Sequence, residues 1–248
     1  LPTRANLDAA MKRIASRMSE ASKHGRVEFL FYYSGHGDIG GDGRRYLTLA
    51  GERLTRHDLF GTVLAQSSAD ANHVVIDACQ SEKFVLARGE WKDDRARKSR
   101  AAEVEDYLEK NQIANFPNTG VILASSVDQQ THEWERYRGG IFTHELLSGL
   151  RGGADINGDG RIEYSELGAF ISSANRGVDD PRARLELTLL PPSSDQRAAV
   201  VHHDAVAQQR VLYFDGQKEA HFSVEDDRGV RVADLHRSPG RPAYLRVP

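Results

Sequence analysis

The chain has 248 residues, of which 39% are hydrophobic and 28% are charged, and its formal net charge is -3 at pH 7. This length can form a full hydrophobic core with room for a second small domain. The balanced charge, without a basic patch interleaved with aromatic residues, argues against nucleic acid as a partner. No apolar run approaches the roughly 20 residues that span a bilayer, so we expect a soluble protein without a membrane span. The single cysteine excludes an intrachain disulfide but leaves the location open, with the cytoplasm slightly favoured.

The first half of the chain predicts alternating helices and strands. Apolar residues at helical spacing, with Thr3 or Asn6 as N-cap and Gly25 beyond the end, predict a first amphipathic helix. The Asp42-Gly43 pair predicts a hairpin, and Thr55 is expected to cap a second helix. Continuous apolar runs predict buried strands at residues 27–33, 73–78 and 120–125. This order predicts an α/β fold with a mostly parallel sheet and helices on both faces.

The second half begins with a charged segment, residues 83–118, that predicts a solvated connection with at most one polar helix near 101–112. An amphipathic helix with Phe142, Leu146, Leu147 and Leu150 on its apolar face is expected next. The acidic loop at 155–166 then leads into a further helix. A closing strand is predicted at 185–190.

The last part of the chain has a different pattern, in which four short strands alternate apolar and polar residues between Gly, Asp and Pro turns. Such alternation is typical of antiparallel strands with one solvated face. We therefore predict two domains, residues 1–190 and a small all-β module at 193–248 that is incomplete at its end.

Two of the predicted strands end in residues that could form a catalytic dyad. One strand leads into Ser34-Gly35-His36-Gly37, and the strand at 73–78 leads into Cys79. If these strands are parallel neighbours, the imidazole and the thiol lie at the same edge of the sheet. His36 would then activate the thiol, which is only slightly ionised near neutral pH, and the amides of Gly37 and Cys79 would form an oxyanion hole. The alternative is that Cys79 is a small apolar core residue.

The two strand-end segments resemble a known family. Tyr33-Ser-Gly-His-Gly37 and Asp77-Ala-Cys-Gln-Ser81 are similar to the His-Gly and Asp-X-Cys-X-Ser blocks of caspase-fold cysteine peptidases, especially bacterial caspase-like proteins and metacaspases. The resemblance continues through residues 120–126, Gln130-Thr131 and 140–144, and covers roughly residues 1 to 190. It implies a caspase-like fold and a cysteine endopeptidase with His36, Gly37 and Cys79 as catalytic residues.

The chain departs from the family at both ends. Members begin with one or two strands and a helix before the equivalent of Leu7. The resemblance therefore implies that another segment, such as an N-terminal fragment of the same precursor, completes the sheet. The β module is not part of the caspase core and resembles accessory domains of some bacterial members.

Substrate preference is predicted from Asp77. Metacaspases carry Asp two positions before the cysteine and cleave after Arg or Lys, and such a carboxylate would pair with a basic side chain through a charge-assisted hydrogen bond. By the same resemblance Ser34 would line this pocket, and Asp128 and Glu133 would add negative charge. The alternative is that Asp77 caps the turn and that the loop acids are merely solvated.

The charged connection offers cleavage sites to a peptidase with this preference. In caspase relatives the corresponding loop is often cut during activation, which predicts self-processing within residues 83–118. The alternative is an uncut solvated loop. The basic residues that it offers are Arg88, Arg95, Arg97, Lys98 and Arg100.

The acidic loop matches a calcium-binding pattern over twelve residues. Oxygen-bearing side chains occupy alternate early positions, Gly160 occupies the sharp turn, and the last residue is a Glu able to bind through both oxygens. The predicted Ca²⁺ ligands are Asp155, Asn157, Asp159, the backbone carbonyl of Arg161, Glu163 through water, and Glu166. The alternative is a vestigial loop that only connects two helices. A bound ion would support the structure, and a role in catalysis does not follow.

Other functional classes are less compatible with the sequence. The remaining histidines lack metal-site spacing, which argues against a zinc enzyme, and Gly35-His36-Gly37 lacks the Lys-Ser/Thr of a phosphate loop. The competing hypothesis is a catalytically silent caspase-fold scaffold or a calcium-binding interaction protein.

Overall fold

The computed structural model describes residues 1–42, 44–78, 84–85, 112–126, 133–134, 139–176, 185–203, 210–237 and 239–247. The chain forms two compact units, residues 1–125 with 190–196 and residues 126–189 with 197–248. Each unit has its own helices and strands. None of the described helices is both long and apolar enough to cross a membrane.

The helices of the first unit begin where the sequence predicts. The Thr3 side chain accepts the Asn6 amide 3.2 Å away and caps α1, which buries Met11 and Met18 on one face. Thr55 and Asp58 form a reciprocal capping box at the start of α2. The bounds are α1 Arg4–Ala21 and α2 Arg56–Asp58, with α2 continued by a π-helical turn at Leu59–Val63 and a 3-10 turn at Leu64–Gln66.

The first helix ends earlier than predicted. It stops at Ala21, where the Ser22 amide bonds the Met18 carbonyl and the Ser22 hydroxyl bonds the Ser19 carbonyl. These local bonds satisfy the last turn before Gly25 is reached, so the glycine follows the helix without capping it.

Three strands of the first unit are parallel to one another and belong to one sheet. In chain order the strands of this unit are β1 Glu28–Ser34, β2 Gly37–Ile39, β3 Arg45–Thr48, β4 Arg53–Thr55, β5 Ala71–Asp77 and β6 Thr119–Ser126. Strand β5 lies between β1 and β6 and pairs in parallel with both. All seven residues of β5 are buried, as expected for a strand covered on both faces. The predicted α/β class with a mostly parallel sheet is confirmed.

Strand β1 has one buried and one exposed face. Phe29 packs into the core, whereas Leu30 and Tyr32 on the opposite face are 56% and 45% exposed. After β1 the chain turns into the antiparallel sheet of β2, β3 and β4, which buries Leu47 and Leu54. The hairpin predicted beyond His36 is therefore present.

The second unit combines two helices with short antiparallel strands. Its helices are α3 Ile141–Ser148, continued by a π-helical turn at Gly149–Gly153, and α4 Tyr164–Arg176. Its strands are β7 Glu133–Trp134, β8 Gly139–Gly140, β9 Arg161–Glu163, β10 Leu185–Leu190, β11 Ala199–His202, β12 Arg210–Phe214, β13 Ala220–Glu225, β14 Arg231–Arg237 and β15 Ala243–Val247. The antiparallel pairs are β7 with β8, β9 with β11, β12 with β15, and β13 with β14.

One predicted core residue of this unit is exposed. Phe142 and Leu146 are buried, but Leu147 is 41% exposed. Residues 142 and 146 are four apart and share a helix face, whereas residue 147 is turned about 100° further around the axis. The following π-helical turn needs Gly152, which has a φ of 121° and lies where any Cβ would be 2.1 Å from the Tyr244 carbonyl oxygen.

Candidate active site

The predicted dyad lies at the paired ends of β1 and β5. Their register ends at Ser34 opposite Asp77, and the Gly35 amide then donates to the Asp77 carbonyl over 3.1 Å. His36 and Cys79 each lie two residues beyond this last pair. Cys79 itself is outside the described residues. Because of this register, the two strands end at the same edge of the sheet, and each dyad residue follows its strand after the same number of positions.

The backbone around His36 is held by neighbouring polar groups. The Tyr33 hydroxyl lies 2.9 Å from the carbonyl oxygens of both His36 and Thr48, and the Thr48 amide also donates to the His36 carbonyl over 2.9 Å. Burial raises the pKa of Tyr33, so its phenol stays protonated and donating at neutral pH. The imidazole of His36 is exposed, where a substrate and a thiol can reach it.

Glycine is required before His36 for reasons of space. A Cβ at Gly35 would lie 2.8 Å from the Tyr33 hydroxyl oxygen and 3.0 Å from the ring carbon that carries it. Any larger residue would therefore displace the phenol from the two carbonyls.

Gly37 is a predicted oxyanion donor, and its strand pairing sets the direction of its amide. It is the first residue of β2 and pairs with Leu47. Because His36 and Thr48 form a hydrogen-bonded pair, the adjacent Gly37–Leu47 pair is of the non-hydrogen-bonded kind. The Gly37 amide consequently points away from β3.

The predicted specificity residues are partly brought together. Ser34 and Asp77 are register partners, so their side chains leave the sheet on the same face; Asp77 is 6% exposed and Ser34 is exposed. Asp128 lies outside the described residues, as do the five basic residues of the 83–118 segment. Glu133 is described only as backbone, in β7 opposite Gly140.

The acidic loop of the second unit has the turn that its sequence predicts. Asp155 accepts the amides of Gly158 and Gly160, over 2.8 and 3.1 Å. Asn157 accepts the Asp159 amide, and Asp159 accepts the Arg161 amide, each over 2.8 Å. The two glycines have φ values of 77° and 76°, in the left-handed region.

The end of the loop carries a carboxylate with a perturbed pKa. Glu166 accepts the amides of Glu163 and Asn157, over 3.1 and 3.4 Å, which folds its side chain back over the loop. Burial raises the pKa of Glu166, and the charge of Asp155 raises it further. A carboxylate that is costly to ionise is stabilised by a nearby cation.

The donor set of the loop fits calcium in kind, because it consists only of oxygen atoms. Within the described part of the chain, no three His, Cys, Asp or Glu side chains are gathered closely enough to hold a metal ion. The predicted calcium set also uses Asn157 and the Arg161 carbonyl, which are not among those residue types. The site therefore stays a prediction.

A buried polar cluster in the second unit has no counterpart among the sequence predictions. Asp234 on β14 lies 2.8 Å from Nε2 of His144, 3.1 Å from Nε2 of His221 and 3.2 Å from Arg231, and its amide donates to the Ser148 hydroxyl over 3.0 Å. Burial opposes ionisation of Asp234, but the His144 bond and the Arg231 charge hold its pKa below the ordinary value. The cluster joins α3 to β13 and β14.

Glu145 lies beside this cluster on α3. Burial raises its pKa to about 7, the charge of His144 lowers it, and that of Asp234 raises it. Its Oε2 atom is buried without a hydrogen-bond partner in the described structure. No sequence signal distinguishes this Glu from an ordinary surface residue of a helix.

A parallel α/β sheet with a histidine and a cysteine beyond the ends of neighbouring strands is the arrangement that the sequence predicts for a caspase-fold cysteine peptidase. The family model that describes the caspase domain matches residues 1–184. The chain therefore belongs to the caspase-domain family of cysteine peptidases, as its two strand-end segments predict. No curated protein and no solved structure matches the chain. The metacaspase subtype and the domain boundary at 190–193 stay predictions.

Proposed function

We propose that this protein is a cysteine endopeptidase that hydrolyses peptide bonds after Arg or Lys with a dyad of His36 and Cys79. The observation that carries the proposal is the register of β1 and β5, whose last pair, Ser34 and Asp77, precedes each dyad residue by two positions. The family supplies the reaction class, because its members act on proteins through a cysteine nucleophile.

The reaction follows from the chemistry of the two side chains. His36 takes the proton of the Cys79 thiol, and the thiolate attacks the carbonyl carbon of the scissile bond. The developing oxyanion accepts hydrogen bonds from the amides of Gly37 and Cys79. The imidazolium of His36 then protonates the leaving amine, and water hydrolyses the remaining thioester with His36 as base.

Asp77 is proposed to select the basic side chain. It is nearly buried, and a carboxylate removed from water binds an arginine or lysine more strongly than an exposed one. Ser34 shares its face and is accessible to a substrate. The substrate would lie in extended form beside these strand ends, with Asp128 and Glu133 adding negative charge.

The same specificity would allow the enzyme to cut itself. The basic residues between positions 83 and 118 are substrates of the proposed kind within the chain. The expected result is that wild-type protein separates into two fragments on a denaturing gel, whereas Cys79→Ala stays one band. An active wild-type preparation that remains a single intact band would contradict self-processing.

Calcium is proposed as a structural ion at the acidic loop. Asp155, Asn157, Asp159, Glu166 and the Arg161 carbonyl would hold it, with Glu163 acting through water. The raised pKa of Glu166 supports this proposal, since burial, and to a smaller extent the charge of Asp155, oppose its ionisation. The ion would offset that repulsion and stabilise the connection between α3 and α4.

The test is hydrolysis of matched fluorogenic peptides ending in Arg, Lys or Asp, by wild type and three variants. Cys79→Ala and His36→Ala should each lose activity by at least about a thousandfold. Asp77→Asn should lower the preference for Arg over uncharged residues by about a hundredfold while the thiol stays reactive. Turnover only on the Asp peptide would contradict the role of Asp77. Absence of turnover on every peptide would favour the silent scaffold.

A further inference from the structure

We propose that Tyr33 is a positioning residue of the dyad: its phenol fixes the backbone of His36 so that the imidazole is presented to Cys79. This inference rests on the proposed function and adds a third residue to the proposed dyad. Tyr33 does not touch the substrate or the reacting atoms, so its effect is exerted through His36.

The first argument is the anchoring of the turn on two sides. On one side the Gly35 amide bonds the Asp77 carbonyl and links the turn to the cysteine-bearing strand. On the other side the Tyr33 hydroxyl lies 2.9 Å from the His36 and Thr48 carbonyl oxygens, shares its single proton between them, and links the turn to β3. Together these bonds set the separation between the base and the strand that carries the nucleophile.

The second argument is that His36 depends on its backbone for orientation. In Cys-His and Ser-His catalysis a third group usually orients the imidazole. Within the described part of the chain, the His36 ring makes no hydrogen bond or ion pair with a protein side chain. Among the described residues, the groups that hold the His36 carbonyl are therefore those that limit where the ring can lie.

The third argument is the space reserved for the phenol. The Tyr33 ring packs against the core of the first unit, which fixes its direction. Gly35 has no Cβ and so leaves room for the hydroxyl. A Cβ at this position would lie 2.8 Å from the Tyr33 hydroxyl oxygen. Core packing thus fixes the position of the Tyr33 hydroxyl, and the hydroxyl limits where the backbone of His36 can lie.

The experiment uses the single cysteine of the chain as a reporter. The rate of Cys79 alkylation by iodoacetamide, measured against pH, follows the fraction of thiolate. Wild type should show an inflection well below that of a free thiol at about 8.5. Tyr33→Phe, which keeps the ring and removes the hydroxyl, should move this inflection up by about one pH unit and lower kcat about tenfold, with KM unchanged.

The matched control is Tyr32→Phe, which removes a hydroxyl from the opposite, exposed face of the same strand. It should leave the alkylation profile and kcat at the wild-type values. If Tyr33→Phe is poorly folded by circular dichroism, Gly35→Ala displaces the same hydroxyl from the other side and should give the same shift.

His36→Ala separates failure of this inference from failure of the proposed function. If His36→Ala leaves the alkylation profile unchanged, there is no dyad, and both proposals are wrong. If His36→Ala raises the inflection but Tyr33→Phe and Gly35→Ala match wild type, the dyad stands and the positioning role of Tyr33 is overturned.

Discussion

The two units differ in how they satisfy polar groups away from bulk water. In the first unit the strand ends and the start of α2 rely on short-range hydrogen bonds within the chain, from Tyr33 to backbone carbonyls and between Thr55 and Asp58. In the second unit burial raises the pKa values of two carboxyl groups, Glu166 and Glu145. The difference predicts that the second unit responds more strongly than the first to pH and to the proposed calcium ion.

Calcium should give the largest change in the free energy of unfolding, and this change should come only from the second unit. At a free Ca²⁺ concentration a thousandfold above the dissociation constant, we expect stabilisation by about 4 kcal/mol, which thermal unfolding with Ca²⁺ and with chelator would measure. Glu166→Gln should abolish most of this response, because the bidentate ligand is lost. Asp227→Asn removes one exposed carboxylate outside the loop and should respond like wild type. If Glu166→Gln and Asp227→Asn respond equally to calcium, the calcium proposal is wrong.

The second effect concerns pH and Glu145. Its folded-state pKa of about 7 lies above the ordinary value of 4.5, so its contribution to stability is fully present below pH 4.5 and is lost as the pH rises through 7. Glu145→Gln should therefore be more stable than wild type by about 2 kcal/mol at pH 8, and this advantage should disappear at pH 4.5. Urea unfolding at both values measures the difference.

The control for this pH dependence is Glu219→Gln, since Glu219 is an exposed residue of the same unit. It should show no such advantage at pH 8. A pH-independent effect of Glu145→Gln would mean that its carboxylate ionises normally in the folded protein.

The smallest change in the free energy of unfolding should come from the first unit, and it should depend on neither pH nor calcium. Thr55→Ala removes the side chain that accepts the Asp58 amide, at a cost of about 1 kcal/mol. This cost should be the same at pH 6 and pH 8, and with Ca²⁺ or chelator. Thr48→Ala, which removes an exposed side chain and leaves the backbone bonds of β3 in place, is the matched control. A calcium-dependent cost of Thr55→Ala would break the contrast between the units.

The sequence predicts the strands well because their signal is local. The strand predicted at 73–78 has an apolar centre at Val74, Val75 and Ile76, and the observed strand, Ala71–Asp77, is buried on both faces. The register with β1 is not predictable in this way, because any parallel alignment of two apolar runs would suit the same pattern. The family supplies the expectation that the two ends coincide.

The contacts of Tyr33 and Asp234 could not be predicted for a different reason. Tyr33 looks like one more aromatic residue of a buried strand, and only the space left by Gly35 hints that its hydroxyl is used. The pairing of His144 with Asp234 joins residues 90 positions apart, and neither has a partner at a recognisable spacing. Side-chain bonds between distant segments leave no periodic trace in a sequence.

The pairing of β1 with β5 also limits when the proposed dyad can form as the chain folds. It begins where the Val27 amide bonds the Asp70 carboxylate, and these residues are 43 positions apart in the chain. Parallel strands so far apart close a long loop before any of their contacts form, which makes such pairing slow compared with local helix formation. A chain that has not yet formed β5 lacks the neighbouring strand that leads into Cys79. The proposed dyad can therefore assemble only after the β1–β5 ladder has closed.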